Sequence, residues 1–467
     1  MFFVLYALIS FLNHYFFRTY ALDLGLYTNA IYDYAHLHFN YSEVFKEQAQ
    51  NLLADHFDLF LILISPLYYL FGTYTLLVVQ IIFIHIGAAG IYKNALIHLE
   101  NKRSALLVTS AFMAFYGVFS AVAFDYHSNV IASMLVPWLF YFFYKQQCLK
   151  SFLILLLIIV TKENMALWAG FICLGLFLLY YKEPVKKKYA LLFSLFSFTF
   201  FIVIVRFIMP SLSLDGKYAH ADYHYFGADF SEVVYGIITH PLKALEALFI
   251  NHSGDVRNNY LKAETHLFIL FSGGVALLLN PRFLLMLVPV FLQKMYHDNP
   301  TMWTVGRQYN IEFAPIISLC VITSLAAVKK IKLKLILSSV FLALSIAVTI
   351  RLCDNTYCYM DRNSIRLYQD GHYQSHYDIS KIHKALQMIP ADAAVSAQSM
   401  FLPHLACRKN IYQYPLIKNA GYIIVSLTKR SYPLSPEQLA DSLVHLQQSP
   451  TWETQYHDDN VYVFRKK

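Results

Sequence analysis

A succession of apolar runs, separated by loops whose charges differ in kind from one to the next, most constrains what this chain can fold into. Candidate membrane segments fall at residues 2–17, 74–92, 104–121, 130–144, 151–161, 164–181, 189–209, 265–279, 283–296, 309–328 and 333–350. That makes about eleven, several of them shorter than the roughly 20 residues a perpendicular helix needs to span a bilayer. Short spans beside long polar loops suit an enzyme whose site is sunk into one leaflet. Residues 151–161, with 164–181, also fit a broken or re-entrant hairpin.

Composition agrees with a membrane protein. Of 467 residues, 57% are hydrophobic and only 14% charged, and mean hydropathy is +0.45, far more apolar than average soluble usage. Aromatics reach 17%, with 36 Tyr and 38 Phe, which suits wide membrane interfaces. The net charge of +8 would suggest nucleic acid, but the basic residues cluster in short loops between apolar runs, so no nucleic-acid partner is expected. The first run has no basic leader and no small-residue cleavage site, and is read as a retained span.

Loop charge sets the expected orientation. Lys93, Lys102 and Arg103, Lys145 and Lys150, Lys182 to Lys188, Arg282, and Lys329 to Lys334 all fall on one side if the spans alternate. The other side holds residues 18–58, 124–129, 162–163, 210–264, 297–308 and everything after 350, which are acidic and His-rich. The N-terminus is therefore expected in the cytoplasm, and the tail outside the cell membrane. Residues 59–71 are apolar, yet counting them as a span would invert every later loop. They are expected to form a short helix or re-entrant element on the outer face, bent at Ser65-Pro66.

Two domains are expected: a transmembrane bundle over residues 1–350, and a small extracytoplasmic α/β domain over 351–467. In the tail, 393–397, 411–414, 422–427 and 461–465 read as strands, and 379–388 and 436–448 as amphipathic helices. Roughly 115 residues suffice for a modest core. Three of the six cysteines, Cys353, Cys358 and Cys407, lie in the tail, and reduced thiols are expected there in preference to a Cys353–Cys358 bridge. There is no internal repeat, phosphate-binding glycine loop or zinc-type Cys/His spacing.

The outer side collects polar groups at span ends: Asp23, Asp55-His56, Asp125-Tyr126-His127, Lys162-Glu163, Tyr296-His297-Asp298 and Arg307-Gln308-Tyr309. Converging there, carboxylates and imidazoles can activate a hydroxyl or hold a cation, and Arg307 or Lys162 can neutralise a phosphate. Polar residues belong at span ends in any case, so each residue alone has an ordinary structural reading as well. Asp23 and Asp125 stand out because each abuts an apolar run with no cationic neighbour beside it in sequence. Charge at a membrane edge marks function by default. His220–Asp229 has the composition of a metal site without a tight ligand spacing.

These features resemble the GT-C superfamily of polytopic glycosyltransferases, which use polyprenyl-phosphate sugars and include protein O-mannosyltransferases and lipid A aminoarabinose transferases. The acid after the first span (Asp23), the Pro66–Gly72 run closing the long outer loop, and the acid of the next outer loop (Asp125) carry the resemblance. A closer resemblance, over nearly the whole chain, is to the bacterial family named domain of unknown function 2079. It rests on Asp23-Leu24-Gly25, His56-Phe57, Ser65 to Tyr68, Asp125 to His127, Thr161 to Glu163, Gln308-Tyr309, Val395 to His404, Arg408 and Ile411 to Pro415. The family often has Pro-Glu after the Asp-aromatic-His; here Ser128-Asn129 stands there.

The resemblance implies an inverting transfer of sugar from a polyprenyl-phosphate donor, with Asp23 as general base and Asp125 as its catalytic companion. Lys162, Arg307 and Tyr309 would bind the donor phosphate, while His56, His127, Glu163 and His297 would support the acceptor. Asp125 and His127 are the candidate ligands of a divalent cation; no other cofactor is implied. A transporter or flippase of a lipid-linked or polar solute is the alternative, as is a non-catalytic protein of the same fold. A transporter would favour charges deep in the spans and paired repeats. Arg206 is the nearest such charge and no repeat is found.

Overall fold

The computed structural model describes residues 1–467 except 221, 376, 428, 429 and 459, and except the side chain of 230. Each of the eleven apolar segments contains helix. Among the described residues, four helical stretches are long and apolar enough to cross a membrane: Phe60–Leu99, Pro184–Leu212, Val256–Leu279 and Ile331–Asp354. A fifth arises if the bent pair Lys102–Met113 and Tyr116–Val122 counts as one span. Shorter apolar helices cover Phe2–Tyr15, Ser128–Tyr144, Cys148–Ile159, Glu163–Leu179 and Phe313–Ala326.

Burial separates centre from periphery. Over their most apolar windows, Phe60–Leu99 is 61% buried, while Pro184–Leu212 and Ile331–Asp354 are only 22% and 28% buried. The last two leave Leu191, Leu195, Ile202, Leu333 and Ile350 exposed. Apolar faces of that extent need a lipid neighbour. At the centre, small residues let backbones approach. A Cβ on Gly90, in the helix Thr75–Leu99, would lie 2.8 Å from Pro137 of Ser128–Tyr144. Asn94 donates to the carbonyls of both Gly90 and Pro137 at 2.8 Å.

Residues 59–71 follow the expected bend. Helix Phe60–Ile64 tightens into a 3₁₀ turn at Ser65–Leu67, resumes as Tyr68–Phe71, and is interrupted at Gly72 with φ 54° before Thr75–Leu99 begins. Proline removes a backbone donor at the first break, and glycine alone takes the second without steric cost.

Two short strands, β1 (Tyr41–Ser42) and β2 (Gln50–Asn51), pair within the first outer loop. The tail carries β3 (Val395–Ala397), β4 (Ile411–Gln413), β5 (Tyr422–Ser426), β6 (Trp452–Asp458) and β7 (Val461–Lys466), in the order β4-β3-β5-β7-β6. β3 is parallel to β4 and β5, while β7 is antiparallel to β5 and β6. Four strands and both helices match the expectation from sequence. β6 is the addition, an exposed edge strand whose pairing with β7 is irregular between Thr454 and Tyr456.

The tail is stitched to the start of the chain. Arg18, 8% exposed, donates to the carbonyls of Asn363, His372, Gly371 and Gln374 at 2.6–3.1 Å. His14 stacks on His404 with ring centroids 4.0 Å apart. One continuous apolar core runs from the helices into the first layer of the tail sheet. All six cysteines carry free thiols.

Candidate active site

The segments assigned to the outer side meet one another. Asp23 sits in a single wide π-type turn, Ala21–Gly25, which feeds the helix Leu26–Ala35. Three elements hold that turn. Asp125 accepts from the Tyr20 backbone N–H at 3.0 Å and also from that of Leu24. Ser399, after β3, accepts from the Ala21 N–H at 3.2 Å. Leu402 lies against Gly25, where an added Cβ would come within 2.5 Å of it. Further along, Asn29 donates to the carbonyls of Ala406 and Arg408 at 3.2 and 2.8 Å. The tail stretch 395–408 is thus the wall against which the Asp23 turn is set.

Asp23 keeps 21% of its side chain exposed. Burial pushes its carboxyl up to about 6, against the opposing pull of Arg307 and Lys162. His127 Nδ1 lies 3.9 Å from Asp23 Oδ1. That imidazole is 5% exposed, held well below the ordinary histidine range by burial and by Lys162. Its backbone N–H donates to Gln80, whose amide in turn donates to the Asp125 carbonyl at 2.9 Å. Gln80 therefore clamps the loop in which Asp125 takes φ 47°, a left-handed conformation that Asp tolerates. Asp125 itself is 4% exposed, its carboxyl raised by burial and by Asp23. Its acceptor capacity is directed at the backbone carrying Asp23, so it braces the turn.

Two cations flank Asp23. Arg307 is exposed, with its guanidinium 4.8 Å over the Phe124 ring. Lys162 is half-buried and in electrostatic reach of Asp23, Asp55, His127 and Glu312. Among the described residues neither has a carboxylate within ion-pairing distance. The loop bearing Arg307 is fastened on every side. Lys294 donates to Met302 and Thr304 carbonyls at 2.6 and 2.8 Å, Thr265 to Trp303 at 2.5 Å, and Ser120 to Val305 and Arg307 at 3.0 and 2.5 Å. Arg307 takes φ 58° there, a strain of about 1 kcal/mol that the fastenings hold in place. Tyr309 interacts with Arg307 through its hydroxyl and feels the charge of Asp23.

A second group lies alongside. His56 Nδ1 is 3.4 Å from Glu163 Oε1, and Glu163 also accepts from the Phe57 N–H at 3.1 Å. Burial lowers His56 below its ordinary range. Burial would raise the Asp55 carboxyl, but the hydrogen bond from His220 and the neighbouring imidazoles and Lys162 bring it well down. His297 belongs to a neighbouring cluster: its nearest carboxylate is Asp222 at 3.9 Å, and it accepts from the Asn299 N–H at 2.9 Å.

Three groups here had no signal in the sequence beyond an acid or amide near an apolar run. Asp58, 1% exposed, accepts from the Ser128 hydroxyl, and burial pushes its carboxyl up to about 7. Glu312 accepts from Asn129 at 2.7 Å, so an acid from a distant segment stands beside the amide found at the family's usual Pro-Glu position. Gln80 lies inside an apolar helix. Among the described residues, His127 Nε2, Gln308 Oε1 and the second oxygen of Glu312 have no hydrogen-bond partner, which calls for a water or ligand. A separate cleft of about 440 Å³ opens along the helix after Asp23, lined by Tyr32, Asp33, His36, Tyr41, Lys409 and Tyr412 among others.

The model of the family described as "Predicted membrane protein (DUF2079)" matches residues 13–463. The chain belongs to that family. No curated protein sequence matches it. Among solved structures it is similar to ArnT from Cupriavidus metallidurans bound to undecaprenyl phosphate, with TM-score 0.51 and 11% identity over 99% of this chain and 97% of that one. The fold is thus ArnT-like along the full length, a helical membrane bundle with a small mixed sheet near its C-terminus.

Proposed function

We propose that this member of the family is an integral-membrane glycosyltransferase that moves a sugar from a polyprenyl-phosphate donor to an extracytoplasmic acceptor by inversion. One observation carries the reading: a partly exposed carboxylate, Asp23, flanked by two cations that have no carboxylate partner among the described residues, Arg307 and Lys162, in an ArnT-like fold. Asp23 takes the proton of the acceptor hydroxyl as that oxygen attacks the anomeric carbon. A base with pKa near 6 is ionised at neutral pH and still basic enough to share the proton. The sugar–phosphate bond breaks on the opposite face, and Arg307 and Lys162 take up the charge developing on the leaving phosphate.

Asp125 and Gln80 are positioning residues in this scheme, fixing the turn and the loop of His127. His127, neutral and with Nε2 free, orients a hydroxyl of acceptor or donor. The exposed apolar side chains Leu63 and Leu70 suit the prenyl chain, and the Tyr32–Tyr412 cleft suits the acceptor. The cell membrane, with basic loops in the cytoplasm and the tail outside, is the setting that loop charge favours.

Mass spectrometry of lipid, polymer and protein extracts from cells with and without the gene tests this. Loss of one glycosylated product, restored by the wild-type chain and not by Asp23→Asn at equal abundance, is the expected result. Full restoration by Asp23→Asn rejects the assignment of the base.

A further inference from the structure

Two imidazoles and a carboxylate from separate outer loops meet at one point. Asp55 and His56 close the first long loop, and His220 follows the short helix Met209–Leu212. Their ligand atoms lie within 4.8 Å of one another, and no other group of three His, Cys, Asp or Glu among the described residues is so placed. His220 Nε2 is 3.3 Å from Asp55 Oδ1, and the His56 and His220 rings stack with centroids 4.3 Å apart. The Glu163 carboxylate, 2% exposed, faces His56 Nδ1 at 3.4 Å, and His220 Nε2 also lies 2.8 Å from the Asp55 backbone carbonyl oxygen.

We infer that Asp55, His56 and His220 form a divalent transition-metal site of the zinc class, which clasps the loop 18–58 to the loop 210–264. Two imidazoles and one carboxylate are ligands that zinc accepts readily, whereas magnesium and calcium favour all-oxygen sets. Glu163 supplies what such sites usually have outside the ligand ring, a carboxylate that orients one imidazole. It is itself fixed by the Phe57 N–H and by the Tyr218 hydroxyl at 3.5 Å. Three protein ligands leave a further position for water or an anionic oxygen. Asp55 contributes to the field at Asp23, so the clasp is near enough to bear on the site. The inference concerns metal binding alone and stands whether or not the chain transfers sugar.

The test uses the full-length chain in detergent, stripped with EDTA, loaded with Zn²⁺, Mn²⁺ or Mg²⁺, desalted, and assayed by elemental mass spectrometry. About one zinc per chain is expected, falling at least ~10-fold in His220→Ala and in Asp55→Asn and unchanged in His297→Ala. Zinc should also raise the melting temperature of the stripped wild-type chain, because a ligand bound only by the folded state stabilises it. That readout needs no variant to fold. Retention of magnesium in preference to zinc, equal zinc in wild type and His220→Ala, or a wild-type melting temperature indifferent to zinc overturns the site.

Discussion

The role proposed for Asp23 rests on its immediate surroundings. The turn buries four-fifths of its side chain, which disfavours the charged form, while Arg307 and Lys162 pull the other way. If ionised Asp23 is the base, kcat/KM should climb about tenfold per pH unit below about 6 and level off above it. The sign for stability is the reverse. The folded carboxyl titrates near 6 and an unfolded one near 3.8, so this group favours the folded state as pH falls through 6 and adds nothing further below 3.8. A pH–rate profile set beside a pH–melting curve separates the two effects. Arg307→Ala should lower kcat/KM by roughly 10²-fold with little change in stability, since its guanidinium is exposed.

At this scale the sequence was informative about residue type and silent about partners. Asp23 and Asp125 stand out from their neighbours in sequence, and Arg307 and Lys162 are legible as cations able to neutralise a phosphate. That Asp125 spends its oxygens on the backbone of Tyr20 and Leu24 depends on a fold-level juxtaposition no local pattern encodes. Glu312 beside Asn129, and His220 beside Asp55, are of the same kind. Each pair joins segments far apart in sequence, so only the packed bundle reveals it.

At the scale of elements, the site depends on a few fastenings that predict distinct failures. Gly117, in the bent pair's second helix, leaves room for the loop after Trp303. A Cβ there would lie 2.5 Å from the Asn310 carbonyl oxygen. Backbone cannot step aside as a side chain can, so Gly117→Ala should cost about 1–3 kcal/mol and lower the melting temperature in detergent. Arg18→Ala should cost about 2–4 kcal/mol by leaving the four tail carbonyls without their charged donor. Limited proteolysis should then cut the tail ahead of the bundle. The π-type turn at Ala21–Gly25 escaped sequence reading because its cause, the wall formed by Ser399 and Leu402, lies almost 380 residues away. β6 escaped for another reason: an exposed strand of Glu, Thr, Gln and His shows no clear alternation of apolar and polar faces.

For the whole molecule, the apolar runs announced the bundle, and charge sorted the loops into two sets. Several contacts join residues within each set. Residues 18–25 meet 125–127, 55–56 meet 163 and 220, and 307 meets 124. On the other side, Lys334 donates to the Leu99 carbonyl and Lys186 sits over Tyr144 and Tyr180. If the basic set is cytoplasmic, a cysteine at Glu453 should react with a membrane-impermeant maleimide in intact spheroplasts, and one at Lys188 only after lysis. Both positions are exposed, and a cysteine-free background removes the native thiols. The opposite labelling pattern would invert the topology and take Asp23 out of reach of an external acceptor.

The central claim is that Asp23 acts on the acceptor while Arg307 and Lys162 hold the donor phosphate. The most direct measurement pairs transfer and donor binding on purified wild-type and Asp23→Asn chains, using the polyprenyl-phosphate sugar identified from the extract comparison. The account predicts transfer reduced at least ~10²-fold with donor affinity kept or increased, since the variant removes only a negative charge beside the phosphate. Undiminished transfer by Asp23→Asn, or loss of donor binding equal to the loss of transfer, would contradict it.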